Sequence, residues 1–298
     1  MTGRTWSRRE FFRRSAVAGA VVLGGPALIS ACTSTNAGGN VLDNARSAGK
    51  IKIGIAGEEP YGFTDTSGKV TGEAPEVARA VLKAIGINDV QAEQVEFGQL
   101  IPALNANQYD MVCAGMNITS ARCQQATFSI PDYSAKTAFL VPKGNPQGIA
   151  TFQDVASKNV QLAVLSAAVE QGYAKDAGGP DGNVQAFPDQ NALLQAVTAG
   201  RVGAAALTDI SLKWLASKNP SANVEVTTGF DPVQNGQPVV SAGGFVFRKA
   251  DTPLVQAFNG ALDTLHKNGQ WVTIAQPFGF TQANLPAADL TTEKLCAA

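Results

Sequence analysis

The chain is poor in the residues that most often carry chemistry. Its 298 residues include one histidine, His266, four cysteines and three methionines. A single imidazole excludes a His-rich metal cage and leaves a His-dependent triad no second candidate. Charge is sparse, at 16% Asp, Glu, Lys and Arg, and nearly balanced, with 23 basic and 24 acidic side chains. No basic excess is available to displace counterions from phosphates, which argues against a nucleic-acid partner. An ATP site is lacking too, because Gly68-Lys69-Val70 has no preceding glycine at phosphate-loop spacing. What is there, 45% hydrophobic residues over a long chain, suits a globular protein with a sizeable core.

The charge is unevenly placed. Residues 1–31 hold five arginines against Glu10, which leaves 18 basic and 23 acidic residues beyond them, a net charge of −5. Arg8-Arg9 precede Ala16–Ile29, an apolar stretch broken by glycine and proline. It is shorter than the ~20 residues that span a bilayer, so it reads as a removable signal. The segment resembles a twin-arginine export signal, and Ile29-Ser30-Ala31-Cys32 resembles a lipoprotein processing box. Residues 1–31 are therefore expected to be a signal peptide, with Cys32 the acylated first residue of a membrane-anchored mature chain. Residues 32–48, rich in Ser, Thr, Asn, Gly and Ala, read as a flexible tether.

From Ile51 onward, β-type runs alternate with helical periodicity. Lys52–Ala56, Val90–Phe97 and Asp110–Ala114 read as strands. Ala74–Ile85 reads as a helix, with apolar residues at 77, 78, 81, 82 and 85. Leu100–Ala106 reads as a short helix, Ser120–Thr127 should start another, and Ala138–Pro142 should run extended. A second series follows, with strands at Val160–Val164, Val184–Phe187, Gly203–Leu207 and Val224–Thr227. Helices at Ala167–Ala177, Asn191–Ala199 and Ile210–Ser217 alternate with them. Gly243–Arg248 reads as a return strand, followed by helices Pro253–Lys267 and Gly269–Gln276. Two such series predict an α/β protein of two domains with largely parallel sheets.

Particular motifs sharpen this. Ile51-Lys52-Ile53-Gly54-Ile55 with Glu58-Glu59-Pro60-Tyr61-Gly62-Phe63, then Phe97–Leu104, then Asp110-Met111-Val112 through Gly115–Arg122, resemble the family 3 solute-binding proteins of ABC importers. The resemblance runs from about Ile51 to Phe280. It implies a type II periplasmic-binding-protein fold, a two-lobed Venus flytrap that closes around its ligand. Lobe 1 would comprise residues 49–141 and 240–298, and lobe 2 residues 142–239. The two hinge crossings would lie at Leu140–Lys143 and Val239–Gly243. It also implies an ABC permease and ATPase subunits as partners, an extracytoplasmic location, a monomeric chain and no cofactor or metal.

The pocket can be argued from residue types. A carboxylate is well held by a planar guanidinium and by backbone N–H groups at a helix start. Arg122 stands where the family places its carboxylate clamp. Gly115 would let the backbone approach a ligand, and Asn117 would offer an amide at the rim. A cationic centre needs an anion or an aromatic face, which Glu58, Tyr61 and Phe97 could supply. Taken alone, Phe97 reads equally well as core and Glu58 as a solvated loop acid. Ser166 and Ala168 fall in the strand-to-helix turn that meets the ligand carboxylate in the family, although Ala167-Ala168 replaces the more usual Gly-Thr or Ser-Thr pair. Asp209 falls where amino-acid binders pair with the α-ammonium, and it equally suits the N-cap of the following helix.

Pro188–Leu194, Thr71–Glu76 and the Ala114–Cys123 stretch look most like the ectoine and hydroxyectoine branch, with Asn117 where that branch carries an aromatic. A small zwitterionic solute is thus expected, and a polar amino acid is the alternative. Some relatives on this fold are dehydratases of cyclic acids, for which Glu58 or Glu170 could act as base, but no nucleophile and base constellation is visible. Once Cys32 is acylated, Cys113, Cys123 and Cys296 remain; one disulfide is possible, its pairing undecided, and Cys113 reads as a core residue.

Overall fold

The computed structural model describes residues 40–234 and 236–297. The expected signal peptide and Cys32 lie outside the described residues. So does residues 32–39 of the expected tether, and its remainder is corrected: Val41–Ala48 is a helix, α1. The Asn40 side chain accepts the Asp43 amide, and Gly49, at φ 68°, closes the helix in a left-handed turn. Leu42 and Ala45 share one face and are buried.

The chain then builds strand β1 (Lys50–Ile55), helix α2 (Glu73–Ala84), β2 (Asp89–Gln94), α3 (Leu100–Asn105), β3 (Met111–Asn117), α4 (Ser120–Cys123), β4 (Thr127–Phe128) and β5 (Tyr133–Ala135). It continues through β6 (Thr137–Pro142), α5 (Phe152–Ser157), β7 (Leu162–Leu165), α6 (Glu170–Asp176), β8 (Val184–Phe187), α7 (Gln190–Thr198), β9 (Ala204–Thr208), α8 (Asp209–Lys218) and β10 (Val224–Val226). It ends with β11 (Ser241–Phe247), α9 (Thr252–Lys267), α10 (Gln270–Ala275) and α11 (Thr292–Ala297).

Two sheets organise these elements. The first runs β2-β1-β3-β11-β4, with β5 also on β11; the second runs β8-β7-β9-β6-β10. Each is parallel on one side only. β1 pairs parallel with β2 and β3, but β11 returns antiparallel. β7 pairs parallel with β8 and β9, but β6 is antiparallel to β9. The expected largely parallel sheets are therefore mixed, because each sheet takes in a strand arriving from the other.

That exchange relocates the first crossing. β5 bonds to β11 of the first sheet, and β6 begins two residues later in the second. The chain changes sheets at Lys136, ahead of the expected Leu140–Lys143, so residues 137–141 belong with lobe 2. The second change falls between the Val233–Pro238 hairpin and Ser241. Thr137 and Phe230 exchange backbone hydrogen bonds of 3.0 and 2.9 Å beside the first crossing.

The cores follow the apolar periodicity. On α2, Val77, Ala78, Val81 and Leu82 are fully buried against β1, β3 and α9. Each Val or Leu so buried contributes about 1.5–3 kcal/mol. Phe139, Phe152, Leu162 and Tyr173 fill the second lobe. Cys123 and Cys296 form a disulfide, and Cys113 is the buried free thiol, its pKa pushed well up by burial. Among the described residues, no helix is long and apolar enough to cross a membrane.

Candidate functional site

The C-terminal ends of the strands in both sheets converge on one small cavity. It is lined by Glu58, Tyr61, Phe97, Gly115, Asn117, Arg122, Leu165, Ala168, Val169, Glu170, Leu207 and Thr208. Seven of the nine sequence-predicted positions are among them. Two larger grooves, of about 540 and 950 Å³, lie elsewhere on the surface. The small cavity is the one enclosed by buried ionisable side chains from both lobes, and chemistry outweighs volume in choosing it.

Arg122 dominates the cavity. The Thr119 hydroxyl accepts its amide at 3.4 Å, opening the single turn of α4. Nη1 donates to the Asn117 carbonyl at 2.8 Å, and Nη2 crosses between lobes to the Ala167 carbonyl at 2.9 Å. The guanidinium carbon stands 5.2 Å from the centre of the Phe97 ring, within cation–π range. Burial lowers the Arg122 pKa from its ordinary value, and Glu170 and Glu58 oppose that shift.

Two buried acids share the cavity with it. Glu58 Oε1 accepts the Ser211 hydroxyl at 2.7 Å, again across the lobes. Burial raises the Glu58 carboxyl to about 7, with Ser211 opposing, Glu170 adding and Arg122 opposing. Glu170, in the first turn of α6, is likewise raised by burial to about 7, against its own backbone amide and Arg122. Each acid is thus poised between charge states at neutral pH.

Tyr61 lines the cavity and is backed by two further rings. Tyr61 and Tyr133 lie 5.0 Å apart between ring centres, and Phe280 meets both edge-on at 5.5 and 5.6 Å. Gly115 has φ 59°, and a Cβ there would stand 2.2 Å from the Tyr61 ring, so glycine is required for this approach. The Tyr61 hydroxyl donates to Thr208 at 3.1 Å, and the Tyr133 hydroxyl donates to the Gly115 carbonyl at 2.6 Å. Beside the cavity, Trp214 Nε1 donates to Glu59 at 2.7 Å. Gln190, its amide oriented to suit both, bonds the Glu59 carbonyl and amide at 2.9 and 3.0 Å.

Two expected residues lie elsewhere. Ser166 is exposed, because Ala167 takes a left-handed φ of 61° and helix α6 starts only at Glu170. The Ala168 amide is spent on the Leu165 carbonyl at 3.1 Å, so this alanine lines the wall without offering a donor. Asp209 faces the 540 Å³ groove, where it accepts the Lys136 amide at 3.2 Å and pairs with Lys213. The cap of α8 is Thr208, one residue earlier. Sequence reasoning missed Thr208, Ser211 and Tyr133 as members of the site and named Glu170 only as a possible base, where the structure places it in the cavity lining. His266 is outside it, 3.7 Å from Asp132 and edge-on to Trp271.

The family model for bacterial extracellular solute-binding proteins, family 3, matches residues 51–281. The chain belongs to this family. This family 3 solute-binding protein is 35% identical over 264 residues to a probable amino-acid ABC transporter periplasmic-binding protein of Sinorhizobium fredii, covering 87% of each chain. It is 26% identical to the L-arginine-binding protein of Pseudomonas aeruginosa, over 76% of this chain and 87% of that one. Among solved structures, it resembles EhuB in complex with hydroxyectoine, at 35% identity and a TM-score of 0.78, covering 87% of this chain and 98% of that one. An ancestral amino-acid-binding protein described as a precursor of cyclohexadienyl dehydratase shares the fold, with a TM-score of 0.69 and 26% identity, covering 80% and 98%. These neighbours are type II periplasmic binding proteins, and the solute-binding fold with its two lobes is shared.

Proposed function

We propose that this protein is the lipid-anchored, extracytoplasmic receptor of an ABC importer, capturing ectoine or hydroxyectoine between its lobes as a monomer. A twin-arginine signal would export it and acylated Cys32 would hold it at the membrane, where a permease and its ATPase subunits take the solute. The observation that carries the reading is the gathering in one cavity of the Arg122 guanidinium over Phe97, the buried acid Glu58 and the ring of Tyr61. A cyclic zwitterion carries the complementary groups: a carboxylate for Arg122 and a delocalised cation for Glu58, Tyr61 and Phe97. The similarity to EhuB with hydroxyectoine bound supports the same solute class.

The enclosed space of about 20 Å³ has room for about one water. A solute therefore enters only as the lobes part and Arg122 releases the Ala167 carbonyl. The carboxylate then takes the freed donor, and lobe 2 closes over it through Ser211, Thr208 and Trp214. The two lobes meeting on one solute is the signal a permease can read.

A specific observation favours a second reading. Glu170 places a second acid in the cavity beside Glu58, so the ionised site is net negative and suits a cationic amino acid such as arginine. Calorimetry with ectoine, hydroxyectoine, glycine betaine, proline, glutamine, arginine and glutamate separates the two. Saturable heat from ectoine supports the first reading, and heat from arginine alone overturns it in favour of the second. Recovery of the solute unchanged by NMR separates capture from dehydration, since the acids Glu58 and Glu170 would also serve a cyclic-acid dehydratase.

A further inference from the structure

Arg122 stands on a small support. α4 is one turn, Ser120–Cys123, with Arg122 and Cys123 half-buried and none of its residues fully buried. A turn this short does not persist on its own propensity. Consecutive helical residues point about 100° apart, and the turn presents Arg122 to the cavity and Cys123 to the separate 950 Å³ groove. There Cys123 is bonded to Cys296 of α11, 173 positions along the chain, with the Cα atoms 5.7 Å apart. α11 is itself seated firmly: Leu295 is buried in the core, and the Thr292 hydroxyl donates to the Ser129 carbonyl at 2.6 Å.

We infer that the Cys123–Cys296 disulfide is the positioning element of Arg122, so that solute affinity depends on the oxidation state of this pair. The inference rests on Arg122 being the carboxylate clamp. The extracellular compartment of the family is oxidising and maintains the bond. A dithiol reductant such as dithiothreitol supplies two electrons and two protons. It cleaves the S–S bond to the Cys123 and Cys296 thiols and is itself oxidised to a cyclic disulfide. The turn then loses its covalent tie to α11, and the guanidinium loses its fixed aim at the cavity. Cys113, buried in β3, takes no part.

A bond closing so long a loop also stabilises the fold, so the test must separate aim from stability. Affinity for the tightest-binding solute of the panel above is measured by calorimetry in the wild type, in Cys123→Ser/Cys296→Ser, in Arg122→Ala and in the combined variant. Dithiothreitol-reduced wild type, with its thiols counted and its circular dichroism native, gives the same comparison if the serine variant does not fold. We expect loss of the disulfide to weaken binding about tenfold in the wild-type background, by analogy with supporting contacts to metal ligands, whose loss costs roughly 10–100-fold. In the Arg122→Ala background it should cost nothing further, since coupled groups are not additive. Equal losses in both backgrounds, or unchanged affinity without the disulfide while Arg122→Ala is weak, overturn the positioning role alone. Full affinity in Arg122→Ala overturns the clamp itself.

Discussion

Acidification should drive the solute out of the cleft. Glu58 and Glu170 both sit at about 7 in the free protein, raised chiefly by burial. The cationic half of a solute needs an ionised acid and holds it ionised once bound. For one acid of that pKa the ionised fraction falls from ~0.9 at pH 8 to ~0.01 at pH 5, so affinity falls about 100-fold. That is about 2.7 kcal/mol, and a steeper slope means that both acids must ionise together. Arg122 stays charged throughout, which leaves the carboxylate half of the grip insensitive. Unfolding does not mimic the effect through these two groups. Their folded pKa values exceed the unfolded ones, so their contribution to stability is complete below the ordinary carboxylate range and is lost as pH rises towards 7. Calorimetry from pH 5 to 8 in two buffers of different ionisation heat reads both the affinity and the proton released on binding near pH 6. Glu58→Gln should bind weakly at pH 8 and flatten the profile. A wild-type dissociation constant constant within threefold across this range, with no proton released, would refute the reasoning.

Arg122→Ala should weaken binding of a carboxylate-bearing solute by about 2–5 kcal/mol, because a desolvated charge pair loses one member; a carboxamide analogue of the solute should lose much less, which calorimetry on both will show. Trp214→Phe removes the indole bond to Glu59 without touching the cavity lining, and should cost about 0.5–1.5 kcal/mol of affinity through a less populated closed form. Small-angle scattering should show a larger radius for it at equal solute. Glu73 is fully buried beside Asp132, and burial raises its pKa well above the usual value. Glu73→Gln should therefore match the wild type in melting temperature in strong acid and exceed it increasingly as pH rises through the carboxylate range, with no gain at neutral pH counting against the account.

How much of this was legible depends on whether the signal is local. The Gly115–Arg122 motif and the apolar spacing on α2 are local, and both the cavity arginine and the helix follow from them. α1 was hidden by composition, yet Asn40, with Leu42 and Ala45 on one face and Gly49 after the last turn, is a readable helix start and stop. Asp209 was displaced from the cavity by a shift of one residue: Thr208 caps α8, so the acid rotates to the outer side. Ser166 was displaced because a left-handed alanine delays the helix. Glu170 was readable only as a possible base; its place in one cavity with Arg122 was not, because only the tertiary fold brings that arginine near. The first crossing was not readable at all, since whether Ala138–Pro142 bonds to one sheet or the other is decided by strands distant in sequence.

Ala167 gives selection a tuning screw. A non-glycine residue at φ 61° stores on the order of 1–3 kcal/mol, and its carbonyl holds the same Nη2 that a carboxylate would claim. On the proposed binding mode, a solute carboxylate competes with a peptide group on a strained turn of backbone. Relaxing that turn with a glycine, or stiffening it with a bulkier residue, should reset retention and release while leaving the side chains that line the cavity unchanged. A solute-binding protein working as proposed could follow a changing supply by mutating this turn and leaving its grip alone.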